Sequence, residues 1–171
     1  FRRLRAFSLY SGAPSAPTST YRLEMTEKSL KIGIVMDPID SITPYKDSSL
    51  AMLLEAERRN AEIHYFEQKD LRLLSGKALG QSTLLHVRDD NDDWYSLGAR
   101  HEIELGDLDA ILMRKDPPFD MEYVYTTYIL DRAEEDGALI VNAPQALRDM
   151  NEKAYTAWFP EITPTTLITR S

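Results

Sequence analysis

A short apolar run at residues 110–113 ends abruptly in Arg114, Lys115 and Asp116, and a proline pair follows at once. A continuous apolar run of this length is typical of a strand that is covered on both faces of a sheet. Prolines cannot continue a hydrogen-bonded ladder, so the chain must leave the sheet at this point. In open α/β sheets the carboxyl ends of the strands are where ligands bind. The stretch therefore predicts a buried strand that ends in a binding site.

Arg114 is the residue of this stretch whose chemistry is most suited to binding. A guanidinium group can donate two parallel hydrogen bonds to a carboxylate or a phosphate. The alternative is a turn whose charges only face water, and the residues of the stretch leave both interpretations open. Arg114 is accordingly a candidate substrate-binding residue.

The rest of the chain alternates between strand and helix patterns. Apolar periodicity, turn residues and caps predict strands at 30–36, 62–66 and 138–141, a hairpin over 71–87 around Ser75 and Gly76, one or two strands within 94–105, and helices at 47–60, 121–135 and 145–150. Strands that alternate with helices form α/β domains. The predicted fold is a three-layer, mostly parallel, Rossmann-like α/β domain with a β-hairpin insertion.

Two further groups of polar residues are expected at the same edge of the sheet as Arg114. Asp47 precedes a predicted helix as its N-cap, and with Ser48 and Ser49 it forms a turn that can accept an anion. The alternative for this turn is plain helix capping. Asn142 follows the strand 138–141 in the same way that Arg114 follows the strand 110–113. These residues are candidate substrate-binding residues as well.

Composition and missing motifs exclude several classes of function. Because the chain has no cysteine, thiolate metal sites and thiol nucleophiles are excluded, which fits a reducing compartment. The net charge of −8 argues against nucleic-acid partners and anionic membrane surfaces. The sequence also lacks the glycine-rich dinucleotide motif, the P-loop and the hydrolase nucleophile elbow. A small-molecule or protein partner is expected, and no metal site is predicted.

The two ends of the chain differ from its middle. Residues 1–24 hold four arginines and one glutamate, and residues 11–20 are crowded with Ser, Thr, Pro, Gly and Ala. We expect a disordered extension that lies upstream of the native start at Met25; a transit peptide is the alternative. At the other end, residues 165–169 (TTLIT) predict a strand without a partner. The expected organisation is an extension at 1–24, a domain at 25–153, and a junction with the first segment of another domain at 154–171.

Three stretches together carry a resemblance to a known family: KIGIVMDP with KDSSLAMLLEAERR, ILMRKDPPFDMEYVYTTYILDRAEEDGALIVNAPQALRDMNEK, and AYTAWFPEITPTTLITR. Residues 29–170 closely resemble the amino-terminal part of bacterial glutathione synthetase. The resemblance implies a pre-ATP-grasp domain in a ligase that joins γ-glutamylcysteine to glycine while ATP is cleaved to ADP and phosphate. It also implies that Lys153 reaches nucleotide phosphate, and that Arg114 and the turn at residues 47–49 face the peptide substrate.

Further expectations follow from the same resemblance. ATP and magnesium would be bound mainly by an ATP-grasp lobe that should follow Arg170, so the 171-residue chain alone is expected to be inactive and to hold no catalytic residue. The protein is expected to be cytoplasmic, and the resemblance implies a homotetramer. The alternative is a standalone α/β ligand-binding or receiver-like module, in which Asp37 would hold a metal or accept a phosphoryl group. A purely structural role in oligomerisation is the third possibility.

Overall fold

The computed structural model describes residues 29–151, 153–169 and 171. The predicted disordered extension at residues 1–24 lies outside this range. The described chain forms a sheet of seven strands with helices on both faces. The predicted α/β class is therefore confirmed.

The elements follow the predicted order closely. The strands are β1 Lys31–Val35, β2 Glu62–Phe66, β3 Leu71–Leu74, β4 Lys77–Val87, β5 Tyr95–Glu104, β6 Ala110–Met113 and β7 Leu139–Val141. The helices are α1 Ser48–Arg58, α2 Met121–Glu135 and α3 Pro144–Asp149. Short 3-10 turns lie at Ile39–Ser41, Pro44–Lys46, Gln68–Asp70, Leu105–Asp107 and Ala154–Trp158.

The sheet has a parallel half and an antiparallel half. Strands β2, β1, β6 and β7 are neighbours in that order and run parallel, with β1 at the centre. Strand β4 then pairs antiparallel with β2, β3 and β5. The sheet is thus mixed, because the hairpin insertion and β5 add antiparallel strands to the expected parallel ones. The carboxyl ends of β1 and β6 meet at one edge, as the sequence pattern predicts.

Each face of the sheet has its own apolar core, which gives the predicted three layers. Val35 and Ile111 pack under α2 and α3 together with Leu130, whereas Ile34 packs under α1 together with Leu53. Consecutive strand residues point to opposite faces, so Ile34 and Val35 serve different cores. Burying an aliphatic side chain of this size contributes about 1.5–3 kcal/mol. These two cores hold the strand ends, and therefore the site, in place.

The hairpin between β3 and β4 turns at Ser75 and Gly76, as predicted. Both residues have positive φ, 50° and 81°. Two consecutive positive φ values are typical of the tight turn whose twist matches that of a β-hairpin, and glycine adopts such a value without steric cost.

The helices begin and end near residues with capping preferences. Asp47 caps α1 as predicted, although the helix ends at Arg58 rather than at Asn60. Gly137, at φ 126°, lies just after the end of α2, a position where glycine is common. Helix α2 has an N-cap that the sequence prediction does not include: the side chain of Asp120 accepts a hydrogen bond from the backbone N–H of Tyr123 at 3.0 Å.

The strand predicted at residues 165–169 is wrong. That segment pairs with no strand of the described chain, and Leu167 is 84% exposed. β-branched residues favour a strand only where a neighbouring strand and a surface to pack on are present. Helix α3 ends at Asp149, and the separate turn Ala154–Trp158 follows. Among the described residues, no helix has the length and apolar character needed to cross a bilayer.

Candidate functional site

A polar crevice of about 370 Å³ lies where the carboxyl ends of β1 and β6 face the start of α1. It is lined by Met36, Asp37, Ser41, Ile42, Thr43, Lys46, Asp47, Ser48, Ser49, Arg114 and Asp116. The crevice therefore contains four of the predicted site residues, Asp47, Ser48, Ser49 and Arg114. Two parallel strands end here and a helix begins here, which is the arrangement that the sequence predicts.

The side chain of Asp47 caps the first turn of α1. One of its carboxylate oxygens accepts hydrogen bonds from the backbone N–H groups of Ser49, at 2.7 Å, and Leu50, at 3.0 Å. These bonds satisfy donors that the first turn of a helix otherwise leaves without partners. The capping role of Asp47 is thus present in the structure.

Arg114 bridges β6 to the start of α1. Its Nε donates to Ser49 Oγ at 3.1 Å and its Nη2 donates to Ser48 Oγ at 2.8 Å. Nε and Nη2 form one edge of the planar guanidinium, so the two serine hydroxyls hold that edge. The group carries more N–H donors than these two bonds use. The opposite edge, formed by Nη1 and the second N–H of Nη2, is therefore available to a ligand in the crevice.

The partners of Arg114 differ from those of the other arginines. Within the described part of the chain, Arg114 forms no ion pair with a carboxylate. Every other described arginine pairs with at least one: Arg58, Arg59, Arg72, Arg88, Arg100, Arg132 and Arg148. Arg114 therefore brings positive charge to the crevice that no described carboxylate contacts directly.

The loop after Arg114 is tied to the end of β1. Lys115 Nζ lies 2.9 Å from Asp37 Oδ1, and the backbone N–H of Asp116 donates to Asp37 Oδ2 at 3.0 Å. Sequence analysis considered Asp37 only as the acid of a receiver-like module and did not find these partners. The positions of Asp37 and Lys115, each just past the end of a strand, were the available signal.

Asn142 lies in a second cavity, of about 540 Å³, and not in the crevice with Arg114. This cavity is lined by Lys115, Pro117, Phe119, Tyr123, Asn142, Ala143, Ala146, Leu147 and Met150. Arg114 and Asp116 line the crevice, whereas Lys115 and Pro117 line the second cavity. The chain thus continues the alternation of a strand beyond β6, and its side chains separate the two cavities. Arg114 and Asn142 each follow a strand, as predicted, but they do not lie in the same cavity.

Two aromatic side chains form part of the wall of the second cavity. Phe119 and Tyr123 pack against each other with ring centroids 5.2 Å apart at the start of α2. Tyr123 is buried, and both side chains form a wall of the cavity. The apolar spacing of Met121, Tyr125 and Tyr128 predicts a buried stripe on α2, and this is wrong, because all three side chains are exposed. No local sequence pattern distinguishes a core aromatic from one at a cavity wall.

Lys153 lines neither cavity. It lies at the start of the turn Ala154–Trp158, where its backbone N–H donates to Asn151 Oδ1 at 3.1 Å. Among the described residues there is also no group of three or more His, Asp or Glu side chains placed to hold a metal ion. The acidic residues of the crevice do not form the oxygen cluster that magnesium prefers.

A buried histidine lies away from both cavities. His64 Nε2 is 2.8 Å from Glu62 Oε1, and its Nδ1 is 2.7 Å from Ser82 Oγ. A carboxylate can only accept, so Nε2 carries the proton and Nδ1 accepts from the serine hydroxyl. Burial lowers the pKa of His64 below its usual 6.5, although Glu62 opposes the shift. The neutral ring joins β2 to β4, and we assign it a structural role.

Comparison with known proteins identifies the family of this chain. Residues 30–148 match the family model described as "Prokaryotic glutathione synthetase, N-terminal domain". The glutathione synthetase of Vibrio parahaemolyticus is 62% identical over 141 residues, which are 82% of this chain and 45% of that protein. The glutathione synthetase of Salmonella typhimurium is 60% identical over 142 residues, 83% of this chain and 45% of that protein.

The chain spans less than half the length of these relatives. The glutathione synthetase of Yersinia pestis, 58% identical over 142 residues, is covered to 44%. The matched region includes the strands of the parallel half, α1 and the crevice between them. This family membership does not favour the standalone receiver-like module. The chain belongs to the family of prokaryotic glutathione synthetase N-terminal domains.

Proposed function

We propose that this chain is the peptide-substrate lobe of a glutathione synthetase. The full-length enzyme would join γ-glutamylcysteine to glycine and cleave ATP to ADP and phosphate. Family membership supports the reaction, since the matched relatives are named glutathione synthetases. The polar crevice supports the assignment of a substrate to this lobe.

The observation that carries the proposal is the free edge of Arg114. Two serine hydroxyls orient the guanidinium, and within the described chain no carboxylate pairs with it. The group also lies at the amino end of α1, where the helix dipole adds positive potential. A substrate carboxylate that enters the crevice can accept two hydrogen bonds from Nη1 and Nη2. In this proposal Ser48 and Ser49 position Arg114, and Arg114 binds the substrate.

The remaining predicted residues have more distant roles in this proposal. Asp47 holds the first turn of α1, which carries both serines. Asn142 would contact the part of a ligand that extends into the second cavity. Lys153 would reach nucleotide phosphate from the junction with the rest of the enzyme, as the family resemblance implies. These assignments remain proposals that mutagenesis can test one at a time.

The rest of the enzyme would supply the nucleotide chemistry. Phosphoryl transfer requires metal ions and positioned donors around the γ-phosphate, and the described residues do not fit a magnesium site. ATP and magnesium are thus proposed to bind mainly outside this chain. By the same family resemblance, the full-length protein would form a homotetramer in the cytoplasm.

Substitution of Arg114 tests the proposal in the full-length protein. Arg114→Ala should lower kcat/KM for γ-glutamylcysteine about 30- to 1000-fold, which corresponds to roughly 2–4 kcal/mol of transition-state binding. Arg114→Lys should be intermediate, because lysine keeps the charge and loses the planar fork. Arg72→Ala is the matched control, since Arg72 pairs with Glu102 far along the sheet from the crevice. A folded Arg114→Ala enzyme with unchanged kcat/KM would disprove the role of Arg114.

A second experiment tests the division of labour between this chain and the rest of the enzyme. The purified 171-residue chain should release no phosphate above background when it is supplied with ATP, magnesium, γ-glutamylcysteine and glycine. The full-length protein, assayed under the same conditions, is the positive control. Turnover by the short chain would show that it holds a complete active site.

A further inference from the structure

We propose that Asp37 is a positioning residue for Arg114. It would act through Lys115 and the backbone of Asp116, which it holds in place, and it need not touch the substrate. This inference rests on the proposed function, because it concerns how the substrate-binding guanidinium is kept in the crevice. It assigns a role to an ion pair that the family comparison leaves without one.

Asp37 extends the connection between β1 and β6 beyond the sheet. The backbone N–H of Arg114 donates to the carbonyl oxygen of Val35 at 2.8 Å, and this is where backbone pairing of the two strands ends. Two residues further along each segment, the Asp37 carboxylate continues the connection: one oxygen accepts from the Asp116 N–H and the other from Lys115 Nζ. The chain is thereby fixed on both sides of Arg114.

The environment makes this ion pair more than a surface contact. The side chains of Lys115 and Asp37 are only 17% and 29% exposed. Lys115 Nζ also donates to the carbonyl oxygen of Asp116 at 2.6 Å, so the ammonium group bridges the carboxylate and its own loop. Loss of one partner from a partly buried pair leaves the other with an uncompensated charge. The loop should therefore shift when Asp37 is removed.

The direction of the Lys115 side chain constrains the direction of the Arg114 side chain. The two residues are consecutive, and they line different cavities. In extended chain, neighbouring side chains point in opposite directions. Asp37, which lines the crevice, fixes Lys115 and the backbone of Asp116, and in this proposal that fixed loop keeps Arg114 directed toward the serines of α1. Without that hold the loop can rotate, and the guanidinium loses its defined position.

The backbone around Asp37 is held in place by a buried residue, Tyr65. The Tyr65 hydroxyl accepts a hydrogen bond from the Ile39 N–H at 3.1 Å and lies 3.5 Å from the Asp37 carbonyl oxygen. Burial is the main cause that raises the pKa of Tyr65, so its hydroxyl stays protonated and able to donate. A site residue whose supports are themselves fixed can hold a ligand-binding group in one orientation.

Asp109 provides a matched control for Asp37. Its Oδ2 accepts from the backbone N–H of Lys31 at 2.7 Å, and so it joins the same two strands, β1 and β6, at their opposite ends. Both carboxylates link the strands through backbone N–H groups, but Asp37 alone lies beside Arg114. A contribution to stability should be common to both residues, whereas an effect on substrate binding should be specific to Asp37.

The test is a double-mutant cycle in the full-length protein. Asp37→Ala should lower kcat/KM for γ-glutamylcysteine about 10- to 100-fold, as expected for a misplaced binding group, with KM for ATP unchanged. Asp37→Asn should lose less, because the amide oxygen can still accept from the Asp116 N–H. Addition of Asp37→Ala to Arg114→Ala should cause little further loss, since no guanidinium remains to be positioned. Asp109→Ala should lower Tm and leave kcat/KM unchanged below Tm.

Each outcome separates this inference from the proposed function. If Arg114→Ala lowers kcat/KM and Asp37→Ala multiplies that loss in the double variant, Asp37 acts independently of Arg114 and the inference is wrong. The inference also fails if both Asp37 variants lose Tm as Asp109→Ala does and keep normal kinetics. If Arg114→Ala has no effect, the proposed role of Arg114 fails first, and the positioning role fails with it.

Discussion

In the antiparallel half of the sheet, arginines lie beside carboxylates of neighbouring segments, whereas at the end of the parallel half Arg114 lies beside two hydroxyls. Arg72 of β3 pairs with Glu102 of β5, and Arg100 of β5 pairs with Asp70 at 2.6 Å. These charges are neutralised within the fold. The charge of Arg114 is oriented by Ser48 and Ser49 and keeps donors for a ligand.

The charge of an arginine alone therefore does not identify it as a binding residue, because its partners matter as well. Surface pairs such as those of β3 and β5 contribute little to stability, and they leave no donor directed into a cavity. Hydroxyl acceptors orient a guanidinium without neutralising its charge, so the group can still form an ion pair with a bound ligand. We therefore expect the parallel half to carry function and the antiparallel half to serve structure.

The largest expected effect on the 171-residue chain comes from the core that joins the two halves. Leu130 is fully buried in α2, which packs against β3, β4 and β7 and so covers both halves. Leu130→Ala should cost about 2–5 kcal/mol of the free energy of unfolding. Because one helix spans both halves, the loss should appear in a single transition, measured by urea unfolding with circular dichroism and tryptophan fluorescence. Two separate transitions would show that the halves are independent units.

Leu73→Ala is the control for that experiment, since Leu73 lies half exposed on β3 and leaves no cavity when truncated. Its effect should be within about 1 kcal/mol. A large loss from Leu73→Ala would mean that the antiparallel half contributes more to stability than its exposed strands suggest.

A smaller, pH-dependent effect should come from His64. Burial lowers the pKa of His64 in the folded protein, so the unfolded state binds its proton more readily. Stability should thus fall as the pH drops below 6.5, the usual pKa of histidine, and this contribution should be constant above it. Glu62, His101 and Lys31 also act on the ring, and the observed slope includes their influence.

Measurement of Tm between pH 7.5 and 5.5 tests this expectation. His64→Gln should flatten the decline in Tm, because glutamine does not titrate. His86→Gln is the control, since His86 lies exposed on β4 beside Glu57. Equal pH dependence in the wild-type and His64→Gln proteins would rule out His64 as the source of the slope.

The smallest effect is expected from Arg100 in the antiparallel half. Arg100→Ala should cost about 0.2–1 kcal/mol, as is usual for an exposed ion pair, and should leave kcat/KM of the full-length protein unchanged. Chemical unfolding and steady-state kinetics measure the two quantities. A kinetic loss as large as that of Arg114→Ala would remove the distinction between the two halves on which the proposal depends.

Local patterns predicted most of the elements because their causes lie within a few residues. Asp47 caps the helix whose first turn follows it, and Ser75 with Gly76 supplies the positive φ values of its own hairpin turn. The prediction of a strand at 165–169 was wrong because a strand depends on a distant partner and not on its own residues alone. Asp120 is a cap of the same local kind as Asp47, because its side chain accepts from a backbone N–H three residues later.

The site was predicted in part. The sequence pattern correctly places Arg114 and the start of α1 at one edge, because parallel strands must end on the same side of a sheet. It could not place Asn142, which lines a different cavity. It also could not show that Asp37 holds Lys115, since these residues are far apart in the chain.

By itself, the sequence determined the α/β class, the order of the elements and the strand end that carries Arg114, because periodicity, capping and turn preferences are short-range effects. Only the tertiary structure decided which side chains meet at that end. The pairing of β1 with β6 brings Asp37 next to Lys115 and Arg114 next to Ser49. It also places consecutive residues of one loop in the walls of two different cavities. Such contacts depend on long-range strand register, which no stretch of neighbouring residues encodes.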